Sequence, residues 1–96
     1  MTQNKVKTYR QFFSKKGRSA SEAQSLALRT VLLEFVIAEL RKQNCTQKEA
    51  ALKLGVKQPR ISEIYSGSID KFSSDLLVTY LLKLGKEVNL TLADRK

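Results

Sequence analysis

The sequence predicts an all-α domain with a short C-terminal β-strand and a basic N-terminal arm. Three observations lead to this fold class. Apolar residues recur at helical spacing between residues 22 and 84, and glycines at 55, 67 and 85 separate the later segments. Residues 87–93 change to a period of two, which is typical of a strand. The 96 residues suffice for one modest core, so we expect the arm over residues 1–20 and one domain over residues 21–96.

The arm is distinguished by its charge. Residues 1–21 carry six Lys and Arg residues and no acid, whereas residues 22–96 carry twelve basic and nine acidic residues. The large apolar groups of the arm are three aromatic residues, Tyr9, Phe12 and Phe13. We therefore expect the arm to be partly disordered, with at most a helical turn at residues 8–13. The arm is either a solvated tail that aids solubility or a segment that binds nucleic acid.

The first long helix is predicted from about Glu22 to Lys42, with a start signal at Ser21-Glu22. Its apolar surface is wider than one face of a single helix requires, because two adjacent rows are apolar: Leu26, Leu33, Ile37 and Leu40, and beside them Leu28, Leu32 and Phe35. The helix is therefore either a central core helix surrounded by its neighbours or a helix that shares a stripe with a partner chain.

Two short helices follow, over residues 46–54 and 57–66, and their spacing predicts a helix-turn-helix. Thr46 and Glu49 have the spacing of a capping box at the first helix start. Ala51 supplies the small side chain needed where the two helices cross, and Gly55 tolerates the positive φ of the turn. The inward row of the second helix is Ile61 and Ile64.

A last helix is predicted over Ser73 to Leu84, with Ser73 as its N-cap. The strand after it exposes one apolar face, consisting of Val88, Leu90 and Leu92. Because a lone amphipathic strand needs a partner edge, we expect these three residues to pair with the same strand of a second copy, giving a homodimer. The alternative is pairing with the protein's own N-terminal arm.

The residue inventory argues against several classes of protein. Histidine is absent and Cys45 is the only cysteine, which removes the commonest general base and leaves too few ligands for a zinc site. We therefore expect no enzyme, no metal and no cofactor. A single cysteine and the lack of a long apolar run favour a cytoplasmic protein without a membrane partner, and the net charge of +9 favours a polyanion.

The motif residues resemble a known family. Thr46-Gln47 through Ala51, Leu54-Gly55-Val56, Gln58 to Ser62 and Tyr65-Ser66-Gly67 resemble the lambda-repressor-like, XRE-type helix-turn-helix. Gln58 to Ser62, Asp70 to Ser73 and the residues 88–92 are most similar to HigA-type antitoxins. The resemblance covers about residues 24–93 and implies a five-helix-type fold in a nucleoid-associated, dimeric repressor or autorepressor that binds double-stranded DNA. The alternative function is an antitoxin that also binds and neutralises a small ribonuclease toxin.

Helix geometry and side-chain chemistry predict DNA contacts for individual residues, and the resemblance adds a backbone contact for Gln47. The second motif helix would enter the major groove, and its outward residues would contact bases: Lys57, Gln58, Pro59, Arg60, Ser62 and Glu63. Arg60 could instead bind phosphate, and Glu63 could simply orient it. The DNA backbone would be held by Thr46, Gln47, Lys48, Ser66, Ser68 and Lys71. Two positions depart from the family pattern, since Ala50 is small where a core residue is usual and Leu52 is apolar where a polar residue is usual.

Overall fold

The computed structural model describes residues 2–95, which contain five α-helices and one 3-10 turn. In chain order these are α1 (Thr2–Lys15), α2 (Ala20–Lys42), α3 (Gln47–Leu54), α4 (Gln58–Tyr65), the 3-10 turn (Ile69–Lys71) and α5 (Ser74–Lys83). This arrangement confirms the all-α class and the helices predicted after residue 20. Within the described residues no helix is long and apolar enough to cross a membrane.

Helix α2 is the centre of the molecule. It packs against α1 along one side and against α4, α5 and the 3-10 turn along the other. The main core joins Val36 and Leu40 of α2 to residues of every later helix, with Leu54, Ile64 and Leu77 completely buried among them. Leu26, Leu33 and Leu40 are therefore buried within the protomer, whereas Phe35 is 44% exposed, and a stripe shared with a partner chain stays a prediction.

The start of α2 differs slightly from the prediction. Ser19 is the N-cap, and the helix begins at Ala20. The Ser19 hydroxyl accepts a hydrogen bond from the Glu22 backbone N–H at 3.2 Å, and the Glu22 carboxylate accepts one from the Ser19 N–H at the same distance. This second capping box satisfies N–H groups that have no partner inside the helix.

The basic arm is a helix, which differs from the partly disordered segment that we expected over residues 1–20. Three side chains of α1 at helical spacing, Val6, Tyr9 and Phe13, are partly buried against α2. Lys5 Nζ lies 3.1 Å from a carboxylate oxygen of Glu34, and the Tyr9 hydroxyl donates to the other oxygen. Packing against α2 stabilises a segment whose composition alone suggests disorder. The division between residues 1–20 and 21–96 remains a prediction.

The predicted C-terminal strand over residues 87–93 is wrong for this chain, because residues 2–95 contain no strand. Val88 packs partly against the core, but Leu90 and Leu92 are 83% and 97% exposed. A strand needs hydrogen-bonding partners along its edge, and the protomer offers none to this segment. Pairing with the N-terminal arm is excluded as well, because that arm is helical.

Candidate nucleic-acid interface

The start of α3 has the local structure that its capping box predicts. The Thr46 hydroxyl accepts from the Glu49 N–H at 3.1 Å, and a Glu49 carboxylate oxygen accepts from the Thr46 N–H at 2.9 Å. Hydrogen bonding to Thr46 lowers the pKa of Glu49 below its ordinary value. The bond from the Thr46 backbone has the larger effect, and the Thr46 hydroxyl has the smaller one. Gln47 and Lys48 follow in the first turn with exposed side chains. The cap thus fixes the helix end where these two residues meet solvent.

The turn between α3 and α4 confirms the roles predicted for its small residues. Gly55 ends α3 in the left-handed conformation at φ 70°, and the Val56 N–H donates to the Ala51 carbonyl at 3.0 Å. Ala51 is buried where the two helices meet, and Ala50 is buried beside it. Leu52 is 75% exposed, so the helix has not rotated to hide it.

Helix α4 separates an inward row from an outward surface. Ile61 and Ile64 are fully buried, which fixes the orientation of the helix. The outward surface at its N-terminal end consists of Lys57, Gln58, Pro59 and Ser62, all exposed. Proline is tolerated in this first turn because its missing N–H would have no partner inside the helix.

Two predicted base-contacting residues, Arg60 and Glu63, are engaged within the protein. The Arg60 guanidinium lies 4.4 Å from the Phe72 ring centroid and donates to the Lys71 carbonyl oxygen at 3.0 Å. It also lies 3.1 Å from one Glu63 carboxylate oxygen, while Lys71 Nζ lies 2.7 Å from the other. These four residues, which we call the Arg60 clamp, join α4 to the segment that follows it.

The electrostatics of the Arg60 clamp agree with its geometry. A hydrogen bond from Lys71, followed by one from Arg60, lowers the pKa of Glu63 below its ordinary value of 4.5. Hydrogen bonding to Tyr80, and then to Glu63, raises the pKa of Arg60. Tyr80 also packs edge-on against Phe72, with 6.3 Å between the ring centroids. The guanidinium therefore remains charged while it rests on a buried aromatic pair.

The residues predicted to hold the DNA backbone fall into two groups. Gln47 and Lys48 make no side-chain hydrogen bond or ion pair within the described part of the chain. By contrast, Ser66 donates to the Glu63 carbonyl at 2.9 Å, and its hydroxyl lies 2.8 Å from that of Ser68. Thr46 is used by its cap and Lys71 by Glu63.

Sequence reasoning missed several contacts that position this surface. Gln43, beyond the end of α2, donates to the Leu84 carbonyl at 2.9 Å and accepts from Lys53 Nζ at 2.9 Å, which connects α2 to α3 and to the end of α5. No sequence signal links Arg60 to Phe72, because a turn and the 3-10 segment separate them. Only the Arg60–Glu63 spacing on one helix suggested that Glu63 orients the guanidinium.

Comparison with known proteins agrees with this geometry. A family model described as "Helix-turn-helix domain" matches residues 17–93, which include every helix except α1. No curated protein and no solved structure matches the chain. Across residues 2–95 no group of His, Cys, Asp and Glu residues is placed to hold a metal ion.

Proposed function

Since the chain belongs to the family of helix-turn-helix domains, which bind DNA and are generally not enzymes, we propose that it is a sequence-specific transcriptional regulator. The observation that supports this most directly is the outward surface of α4. Its exposed residues Gln58, Pro59 and Ser62 stand on a helix that two buried isoleucines hold in place. The N-terminal end of this helix enters the major groove, and the protein acts as a cytoplasmic, nucleoid-associated repressor.

Base reading is assigned to the exposed residues of α4. Gln58 offers the paired donor and acceptor that match adenine N6 and N7, and Ser62 can bond to several base edges. The Pro59 ring suits a thymine methyl group, and Lys57 suits guanine. Arg60 and Glu63 instead hold α4 against the following segment, because the Arg60 clamp already uses their charged groups.

Backbone contacts are assigned first to the start of α3. The side chains of Gln47 and Lys48 are exposed there, beside first-turn N–H groups that have no partner inside the helix. Such an end binds phosphate through both side chain and backbone. These contacts fix the register of the protein on the duplex without distinguishing one sequence from another.

The assignment is tested by selecting bound duplexes from random DNA and comparing variants on the selected site. Gln58→Ala is expected to relax one base-pair preference by about 1–3 kcal/mol. Gln47→Ala is expected to weaken preferred and mixed sequences equally. Gln11→Ala, at an exposed position on α1, is the matched control. If the selection returned no common sequence, the proposed function would be wrong.

We also propose that two protomers bind DNA together, because one helix-turn-helix contacts too few base pairs for a specific site. Two recognition helices about 34 Å apart would read successive major-groove faces. The exposed side chains Leu90 and Leu92 are the apolar surface assigned to this contact, with Val88 anchoring the segment to its own core. Replacing both leucines by asparagine should weaken self-association in sedimentation, whereas Thr91→Asn should not.

An antitoxin function is the second candidate, and it is supported by the sequence resemblance alone. A basic toxin would be bound by acidic groups, and α2 offers Glu34 and Glu39. Glu34 already contacts Lys5 and Tyr9, and Glu39 accepts from Gln43 at 2.9 Å. We therefore favour the regulator. The antitoxin function would be favoured if an adjacent gene encoded a small basic protein and that protein co-purified with this chain.

A further inference from the structure

The N-terminal cations have no role in the helix-turn-helix site described above. Six of the eighteen Lys and Arg residues lie within residues 1–18, which contain no acid. The family model begins at residue 17, so α1 precedes the part of the chain that the family shares. A basic helix added to a DNA-binding domain requires its own explanation.

The backbone at the end of α1 has a defined conformation. The Arg18 N–H donates to the Phe13 carbonyl at 3.2 Å, and Gly17 adopts φ 86°, which closes the helix and turns the chain towards α2. Phe13 is partly buried, and the Lys16 ammonium lies 5.4 Å from the Phe12 ring centroid. The corner between α1 and α2, residues 15–18, is therefore a folded surface.

This α1–α2 corner lies beside the connection between α4 and α5. Arg18 and Arg29 line one cleft of about 300 Å³ together with Asp70, which belongs to that connection. Arg29 Nη1 also donates to the Ile69 carbonyl at 3.3 Å. The connection also contains Ser68 and Lys71, which are predicted to hold the DNA backbone, so Arg18 lies beside this part of the predicted DNA surface through Asp70.

Several of these cations are available to a ligand. In the described part of the chain, Lys15 and Arg18 are exposed and make no ion pair. Arg29 has a buried Nε without a hydrogen-bond partner. Of the two acids in the cleft, Glu22 is occupied by its capping box with Ser19. Asp70 is the second acid, so the two acids balance Arg18 and Arg29 within the cleft, and the net positive charge of the corner comes from Lys15 and Lys16 outside it.

We propose that the α1–α2 corner, with Lys15 and Arg18 as its contacting residues, binds phosphates of double-stranded DNA next to those held by the helix-turn-helix. This inference rests on the proposed function and extends its DNA surface beyond the family domain. Contacts to phosphate carry no sequence information, so the corner raises the affinity for every sequence equally. Arg29 shapes the cleft by connecting α2 to the Ile69 carbonyl.

The expected effect follows from counterion release. Each phosphate contact makes the slope of log K against log salt steeper by about 0.9. When the salt concentration falls from 1 M to 0.1 M, one contact therefore raises the binding constant K roughly 8-fold. The double variant Lys15→Gln/Arg18→Gln removes two such contacts. It should lower the steepness of the slope by about 1.8 and weaken binding roughly 60-fold at 0.1 M salt.

The test uses the full chain and two labelled duplexes of about 30 base pairs, one of mixed sequence and one carrying the selected site. Binding is measured by fluorescence anisotropy over a range of salt concentrations. Lys86→Gln/Arg95→Gln is the control, because it removes the same formal charge from the C-terminal segment. Circular dichroism verifies that all variants fold alike.

A shallower slope on both duplexes for the corner variant alone, with unchanged base preference, supports the proposal. An unchanged slope for the corner variant refutes it while leaving the helix-turn-helix assignment intact. An equal loss in both double variants also refutes it, since only total charge would then matter. If the wild-type chain bound neither duplex in a salt-dependent way, the proposed function itself would fail.

Discussion

Replacement of Arg60 by alanine distinguishes a residue that reads bases from one that positions the recognition helix. The guanidinium rests 4.4 Å from the Phe72 centroid, donates to the Lys71 carbonyl and pairs with Glu63. A partly desolvated cation–π contact contributes about 1 kcal/mol, and the hydrogen bond from a charged donor contributes about 1 kcal/mol. The ion pair adds little, because both partners are partly exposed. We expect a loss of about 2 kcal/mol in the free energy of unfolding.

The assay is urea unfolding followed by circular dichroism. With an m-value of about 1.3 kcal/mol/M for a small domain, the midpoint should fall by about 1.5 M. Arg60→Lys keeps the charge but loses the planar group, so its midpoint should lie between those of the wild type and Arg60→Ala. If Arg60→Ala unfolded at the wild-type urea concentration and lost one base-pair preference, the clamp reasoning would be refuted and Arg60 would be a base reader.

Three further predictions concern the turn, the acid limb of stability and the attachment of α1. Gly55→Ala should cost about 1–2 kcal/mol and lower Tm by about 5–12 °C, because its φ of 70° is strained for a side chain; an unchanged Tm would contradict this. The hydrogen bond from Lys71, and then that from Arg60, lowers the pKa of Glu63 in the folded protein. The ionised Glu63 therefore stabilises the fold fully above pH 4.5, and this stabilisation is lost as the pH falls through the lowered pKa. Glu63→Gln should reduce this loss in urea unfolding at neutral and acid pH, and an identical acid limb would refute the assignment. The hydrogen bond to Glu34 raises the pKa of Tyr9 above 10.0, so Glu34→Gln should shift one tyrosine in an absorbance titration to lower pH; no shift would mean that α1 is not docked in this way.

The helix-turn-helix was predictable because its determinants are local. The capping box at Thr46, the left-handed turn at Gly55 and the buried row of Ile61 and Ile64 each follow from spacing within one or two helical turns. Such signals do not depend on the rest of the fold. They predicted the two helices and the turn between them, on which the proposed function is assigned.

The remaining features depend on contacts between distant segments. Helix α1 forms where Val6, Tyr9 and Phe13 meet α2, and composition alone does not reveal that contact. The alternation of Val88 and Leu90 is compatible with a strand or with an extended tail, and only a partner edge decides between them. The contact between Arg60 and Phe72 was not predictable, because the two residues lie on different elements.

The shallow packing of α1 has a consequence for turnover of the protein. None of its side chains described from Lys5 to Lys15 is fully buried, so we expect α1 to open before the core around Leu54 and Ile64 unfolds. The helix is rich in lysine and arginine, and its opened form is a substrate for trypsin-like proteases. Limited proteolysis should remove it first and leave the family domain intact. Bound duplex should slow this cleavage if the α1–α2 corner contacts DNA, which would couple the lifetime of the full chain to occupancy of its sites.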